Sequence, residues 1–286
     1  MIWSLTLFII GFIGFILNRK NVILMLISIV LYFIFDQFLN LFTNYDLFHA
    51  FLITPVALSK LTEAKAKRKS LSKVDRAAIQ LTQEQIDIIV GCGLGDLHIR
   101  KDNRAVNGNA KLRFEQSSIH KEYINYLFTN FKNLTPQDTL KESSHLIKLT
   151  NKTYTSFYFQ TYSLPCFNKF YDLFILNGEK VVPNNIAELL TAQALACWLM
   201  DDSTWSTIVK TVFISTHSFD LKGCTILCDA LQSSLNLIAK PNKHIKLKNG
   251  DQSYTIRFSS KPDNLQRLRE LVKPHFHPSL FYKLGL

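Results

Sequence analysis

The chain has 286 residues, is 47% hydrophobic and carries a formal net charge of +11, which is enough length to bury two packed subdomains and an appendage. Its five cysteines contain no C-x-x-C pair and are odd in number, which excludes a zinc knuckle and a disulfide scaffold. Arg19, Lys20, Asp36 and Asp46 cancel within residues 1–54, so the whole positive excess lies beyond them and marks that part as the polyanion binder.

Met1 to Leu17 is an uncharged apolar run, Asn18, Arg19 and Lys20 interrupt it, and Val22 to Phe35 is apolar again. The two runs predict a transmembrane hairpin within residues 1–54, and no basic residues precede them as in a secretory signal. From Leu7 to Ile29, above all in Gly14-Phe15-Ile16-Leu17-Asn18-Arg19-Lys20-Asn21, this segment resembles the start of the 4L subunit of mitochondrial NADH dehydrogenase, and the likeness fades after Ile29. Such a start implies a reading frame continuous with an upstream exon, in a mitochondrion. The alternative is a purposeful anchor in the inner membrane. Residues 55–82 follow as a basic linker, with Lys60, Lys65, Lys67, Arg68, Lys69, Lys73 and Arg76 against Glu63 and Asp75. It reads as a solvated tether or as a phosphate contact.

The next stretch, Val90-Gly91-Cys92-Gly93-Leu94-Gly95-Asp96, sits in a predicted helix from Gln83 to Asp96. Thr82 and Gln85 supply a capping box, and Ile86, Ile89 and Val90 recur at helical spacing. Each helical glycine costs about 1 kcal/mol relative to alanine, so the cluster has to be offset by packing. Gly91 and Gly95 share one face and admit a second backbone. The partner is offered by Leu195-Ala196-Cys197-Trp198-Leu199-Met200-Asp201-Asp202, with Ala192 and Ala196 as the matching small face and Cys197 beside it. Helices packed along those faces place Asp96 and Asp202 within reach of common ligands, as a hard-cation site for Mg2+ that water and substrate phosphates complete. A dinucleotide fingerprint is excluded, because its third glycine falls on Asp96.

Lys111, Arg113 and Glu115 alternate with Leu112, Phe114 and Gln116, the period of a half-buried strand. Later, Thr255, Arg257 and Ser259 alternate with Tyr254, Ile256 and Phe258, near Lys246 and Lys248. The charged strand faces are expected to line a groove for duplex DNA. Its candidate contacts are Arg100, Lys111, Arg113, Lys243, Lys246, Lys248 and Arg257, with helices Ile119 to Phe131 and Asp263 to Leu271 covering the apolar side.

These motifs resemble the LAGLIDADG homing endonucleases in their single-chain, two-motif form, over about Gln83 to Leu286. Further likeness lies in Phe114-Glu115-Gln116-Ser117, His120-Lys121-Glu122-Tyr123, Ser163-Leu164-Pro165, Asn177-Gly178-Glu179-Lys180 through Asn185, Ser215-Thr216-His217-Ser218-Phe219, Pro278-Ser279 and Tyr282-Lys283-Leu284. The resemblance implies an α+β fold of two pseudo-twofold-related αββαββα subdomains with saddle-shaped antiparallel sheets, over residues 83–182 and 183–286. By it Asp96 and Asp202 are the metal-binding catalytic acids, each serving one DNA strand. Lys180 and Lys283 are the basic residues beside them. Leu97 and Ser203 depart from the family's small residue and glycine, and Ser215 and His217 from its more usual Asn and Gln. The function implied is a Mg2+-dependent, site-specific double-strand endonuclease, monomeric in its body, acting on a DNA target at an exon junction around the codons for Leu26 to Ile29. The alternative is an RNA maturase whose partner is the host intron RNA and which needs no metal acids.

Overall fold

The computed structural model describes residues 71–286 apart from 102–107, 148–151, 247–249 and 251. The expected apolar hairpin of residues 1–54 and the linker as far as residue 70 lie outside the described residues. Among the described residues, no helix is long and apolar enough to cross a membrane. The end of the stretch read as a tether is ordered: Lys73–Ala78 forms helix α1, because the Ser72 hydroxyl and the Asp75 carboxylate cap each other's backbone N–H groups.

Helix α2, Gln83–Leu94, starts on the Thr82 and Gln85 capping box that its sequence announces. It stops two residues earlier than the expected Asp96. Gly95 leaves helical geometry at φ −91 and ψ −129 while its N–H still reaches the Gly91 carbonyl, and the Leu97 N–H turns back to the Cys92 carbonyl at 2.9 Å. Asp96 therefore sits just past the helix, not within its last turn.

Strands β1 (His98–Lys101) and β2 (Ala110–Ser117), helix α3 (Lys121–Asn130), strands β3 (Lys141–Ile147) and β4 (Lys152–Gln160) and helix α4 (Asn168–Phe174) complete the first half. A short hairpin, β5 (Ile175–Leu176) and β6 (Glu179–Lys180), and helix α5 (Ile186–Leu189) lead to α6 (Ala192–Asp202). The second half then runs β7 (Ser203–Ser206), β8 (Thr211–Ser215), α7 (Leu221–Leu235), β9 (Ala239–Lys246), β10 (Gln252–Phe258) and α8 (Pro262–Val272). Each half has one antiparallel sheet, ordered β1-β2-β4-β3 and β7-β8-β10-β9, so the element order αββαββα occurs twice.

In β2 the alternation is as read from the sequence: Leu112, Phe114 and Gln116 are buried while Lys111, Arg113 and Glu115 are half-buried on the other face. Phe114, Phe128, Phe131 and Phe159 fill the space beneath, with Phe114 stacked on Phe159 at 4.8 Å. A single apolar core joins both halves, running through Ile88 and Val90 of α2 and Leu195, Trp198 and Leu199 of α6. Burying each large side chain contributes roughly 2 kcal/mol, which outweighs the helical glycines' cost of about 1 kcal/mol each.

Candidate active site

Helices α2 and α6 pack at the centre, and their seam explains two of the glycines. A Cβ on Gly91 would lie 2.1 Å from the Ala194 carbonyl oxygen and 2.7 Å from Cys197 Cβ, and one on Gly95 would lie 2.7 Å from both Cβ and Oδ2 of Asp201. The α6 side of the seam is thus the stripe Ala194, Cys197 and Asp201, spaced by three and four residues. This corrects the expected face: at roughly 100° per residue, Ala196 is turned away from Cys197, and Ala192 stands about opposite Asp201. Ala196 is instead a core residue and Ala192 is half-buried.

Gly95 is small because Asp201 needs its space. The Asp201 carboxylate accepts the Asp96 N–H on Oδ2 at 3.2 Å and the Gln116 side-chain amide on Oδ1 at 3.0 Å. A side chain of the second helix thereby holds the backbone of the first acid. Burial, and then the charge of Asp96, push the Asp201 carboxyl up to about 7 against the lowering effect of that N–H and of Lys283. Asp202 is raised to about 8, first by burial and then by Asp201 and Asp96, with Lys180 and Lys283 pulling the other way. The charges of Asp96, Asp201 and Asp202 thus act on one another in one electrostatic neighbourhood. Sequence reasoning assigned roles to Asp96 and Asp202 but none to Asp201. The visible signal for Asp201 was the doubled acid at a position where its counterpart is Gly95.

The two lysines occupy equivalent stations. Lys180 closes the β5–β6 hairpin, whose Asn177 and Gly178 both take positive φ as an Asn-Gly turn requires. Its ammonium donates to the Gly95 carbonyl. Lys283 lies in the 3-10 segment Pro278–Leu284 and donates to the carbonyls of Met200 at 2.5 Å and Asp201 at 2.9 Å. Each lysine thus reaches the carbonyl one residue before its acid, at a helix C-terminus whose carbonyls are unpaired and whose dipole is negative. Burial lowers both lysines from their ordinary value, and the neighbouring carboxylates draw them back up.

Two clefts open on this centre. One of about 530 Å³ is lined by Asp96, His98, Arg100 and Lys180, the other, of about 510 Å³, by Asp201, Asp202, Ser203 and Lys283. The donors are hard carboxylate oxygens, three against two ammoniums. Ser203 Oγ, buried at 4% exposure, has no protein partner among the described residues and lines the second cleft. Such a site suits a divalent cation that keeps waters and takes phosphate oxygens. Among the described residues, no three His, Cys, Asp or Glu side chains enclose an ion by themselves.

The sheet faces beside the clefts carry the expected basic residues unevenly. Arg100 pairs with Lys111, and His98 with Arg113, across β1 and β2. Arg113 is already engaged: it forms an ion pair with Glu115 at 2.7 Å and lies 3.7 Å from the Tyr158 ring centre. Burial alone would raise Glu115, yet bonds from Ser156 and Arg113 hold it below its usual range. In the second sheet Arg257 pairs with Phe213 and Lys240, while Lys243 pairs with Tyr254 and therefore shares the face of Ile256, opposite Arg257. Lys243 thus leaves the charged face on which the sequence set it. Lys246 is exposed beyond an irregularity in the β9–β10 pairing, and Lys248 lies outside the described residues.

Comparisons with known proteins agree with this arrangement. Residues 86–264 match the model of the LAGLIDADG DNA endonuclease family. The cytochrome b mRNA maturase bI2 of Debaryomyces hansenii is 30% identical over 206 residues, 72% of this chain and 75% of the relative. The solved homing endonuclease I-WcaI, bound to its DNA recognition sequence, shares the fold with a TM-score of 0.65 at 23% identity, covering 76% of this chain and 95% of that one. NADH-ubiquinone oxidoreductase chain 4L of Talaromyces marneffei is 50% identical over 46 residues, 16% of this chain and 52% of that protein.

Proposed function

Because the chain belongs to the LAGLIDADG DNA endonuclease family, we propose that it is a site-specific double-strand DNA endonuclease dependent on a divalent cation, Mg2+. Asp96 and Asp202 hold the cation, and each serves one strand. When bound, it activates water and stabilises the leaving oxygen. The chain's own residues do the rest. Lys180 and Lys283 steady charge on the scissile phosphates. Asp201 and Gln116 fix the Asp96 backbone. Arg100, Lys111, Lys246 and Arg257 neutralise flanking phosphates. The observation that carries this reading is the convergence of acid and lysine, twice over, at the ends of α2 and α6.

The body, residues 83–182 and 183–286, acts as a monomer with two matched halves. The target is an exon junction in mitochondrial DNA, and the 4L-like start is the product of the upstream exon. The junction lies around the codons for Leu26 to Ile29, and the likeness to chain 4L supports reading the start as an exon product. Incubating the full chain with a plasmid carrying the joined exons, with and without Mg2+, is expected to give linear product only with the cation. No cleavage with Mg2+ refutes the assignment.

A second reading, an RNA maturase for the host intron, is favoured by the maturase name of the Debaryomyces hansenii relative. Splicing assisted equally well by the wild type and by Asp96→Asn and Asp202→Asn variants would establish it.

A further inference from the structure

We propose that Arg269 is a positioning residue for Lys283, acting through the chain's last turn. Lysine carries its charge on a flexible four-carbon stem, so its ammonium is directed only if its backbone is held. The structure supplies the hold. Both Nε and Nη2 of Arg269 donate to the Leu284 carbonyl, at 3.0 and 2.9 Å, one residue after Lys283. The same guanidinium lies over Trp205, 5.2 Å from the ring centre.

Trp205 belongs to β7, the strand that leaves Asp202, and is pressed against Gly285. Gly285 has φ +67, and a Cβ there would lie 2.5 Å from the indole, so the turn accepts no side chain. On the other side the Tyr282 hydroxyl meets His120 Nε2 at 3.2 Å, which ties the segment to the first half. Arg269, Trp205 and Gly285 thus form a clamp that presents Lys283, itself 6% exposed, to the carbonyls of Met200 and Asp201. Among the described residues no arginine clamps Lys180, which the β5–β6 hairpin pairs with Ile175. The two strands of a target should therefore respond differently to loss of Arg269.

This inference rests on the endonuclease reading for its catalytic consequence, and the experiment separates the two. Full-length wild type, Arg269→Ala, Arg269→Lys and Lys283→Met are each given joined-exon duplex labelled on one strand or the other. Hydrogen exchange is measured at the amides of Gly285 and Leu286. Both Arg269 variants are expected to slow cutting of the strand that Lys283→Met slows, by at least about tenfold. The other strand should stay within about threefold, so nicked product accumulates, and exchange at Gly285 should rise. Lysine keeps the charge but not the two-pronged donation, so Arg269→Lys tests geometry in a variant expected to fold. Unchanged exchange, or equal slowing of both strands, overturns the clamp. Faster exchange in both variants with no cutting by the wild type supports the clamp and overturns the nuclease reading instead.

Discussion

Asp96 stands exposed just past the end of α2, whereas Asp202 is half-buried within α6, and its carboxyl is pushed up to about 8. Two motifs matched in order and length have produced unequally buried acids. Burial comes first for Asp202, and one position adds to it: the residue before the acid is Gly95 in the first helix and Asp201 in the second. Close helix packing leaves room for one side chain there, and the second half supplies it. The pseudo-symmetric fold is therefore kept by an asymmetric pair, a missing Cβ facing a carboxylate.

The seam can be broken most severely at Gly91, whose added Cβ would meet immovable backbone. Gly91→Ala is expected to destabilise by about 3 kcal/mol, at the upper end of overpacking costs, as measured by urea unfolding. Gly93→Ala should cost less, at most about 1 kcal/mol, because overpacking against the Phe174 ring at 2.9 Å is offset by alanine's better helix propensity. Equal losses at the two glycines would remove the special status of the seam.

The lysines sharpen the comparison kinetically. Lys180→Met and Lys283→Met should each slow one strand by about a hundredfold, and strand-resolved nicking should assign them to opposite strands. If both act on the same strand, the two centres are not equivalent stations.

Stability against pH tests the buried acids without any cation. A carboxyl whose folded pKa is raised from about 4 to about 8 keeps a proton that the unfolded chain has shed. Folding stability from this group is thus lost as pH rises through that window. In EDTA the urea midpoint should be lower near pH 8.5 than near pH 5.5, and Asp202→Asn should reduce the difference, leaving the share due to Asp201. A midpoint that falls equally in the variant would clear Asp202 of the effect.

The smallest effects belong to the groove. Lys111→Ala should lower the salt slope of DNA binding by about 1, whereas Lys243→Ala, on the face of Ile256, should leave it unchanged.

The fold was legible in the sequence wherever a local rule had a cost or a period. Helical glycines demanded a partner, the Thr82 and Gln85 box marked a helix start, and alternation in Lys111 to Gln116 marked a strand. What escaped depended on rotation and register. Ala192 and Ala196 are spaced as a face with Cys197 beside it, but only packing reveals that Ala194 and Asp201 complete the seam with Cys197. Lys243 changed sides because strand pairing, not composition, fixes its face. The grip of Arg269 on Leu284 bridges 15 residues through a guanidinium and a carbonyl, and no sequence pattern announces such a bond.

The most direct test of the paired acids uses Asp96→Asn and Asp202→Asn on joined-exon DNA with Mg2+, with cleavage and binding measured side by side. Each variant is expected to bind the target as the wild type does and to yield no linear product. Double-strand cleavage retained by either one contradicts the assignment of one acid to each strand.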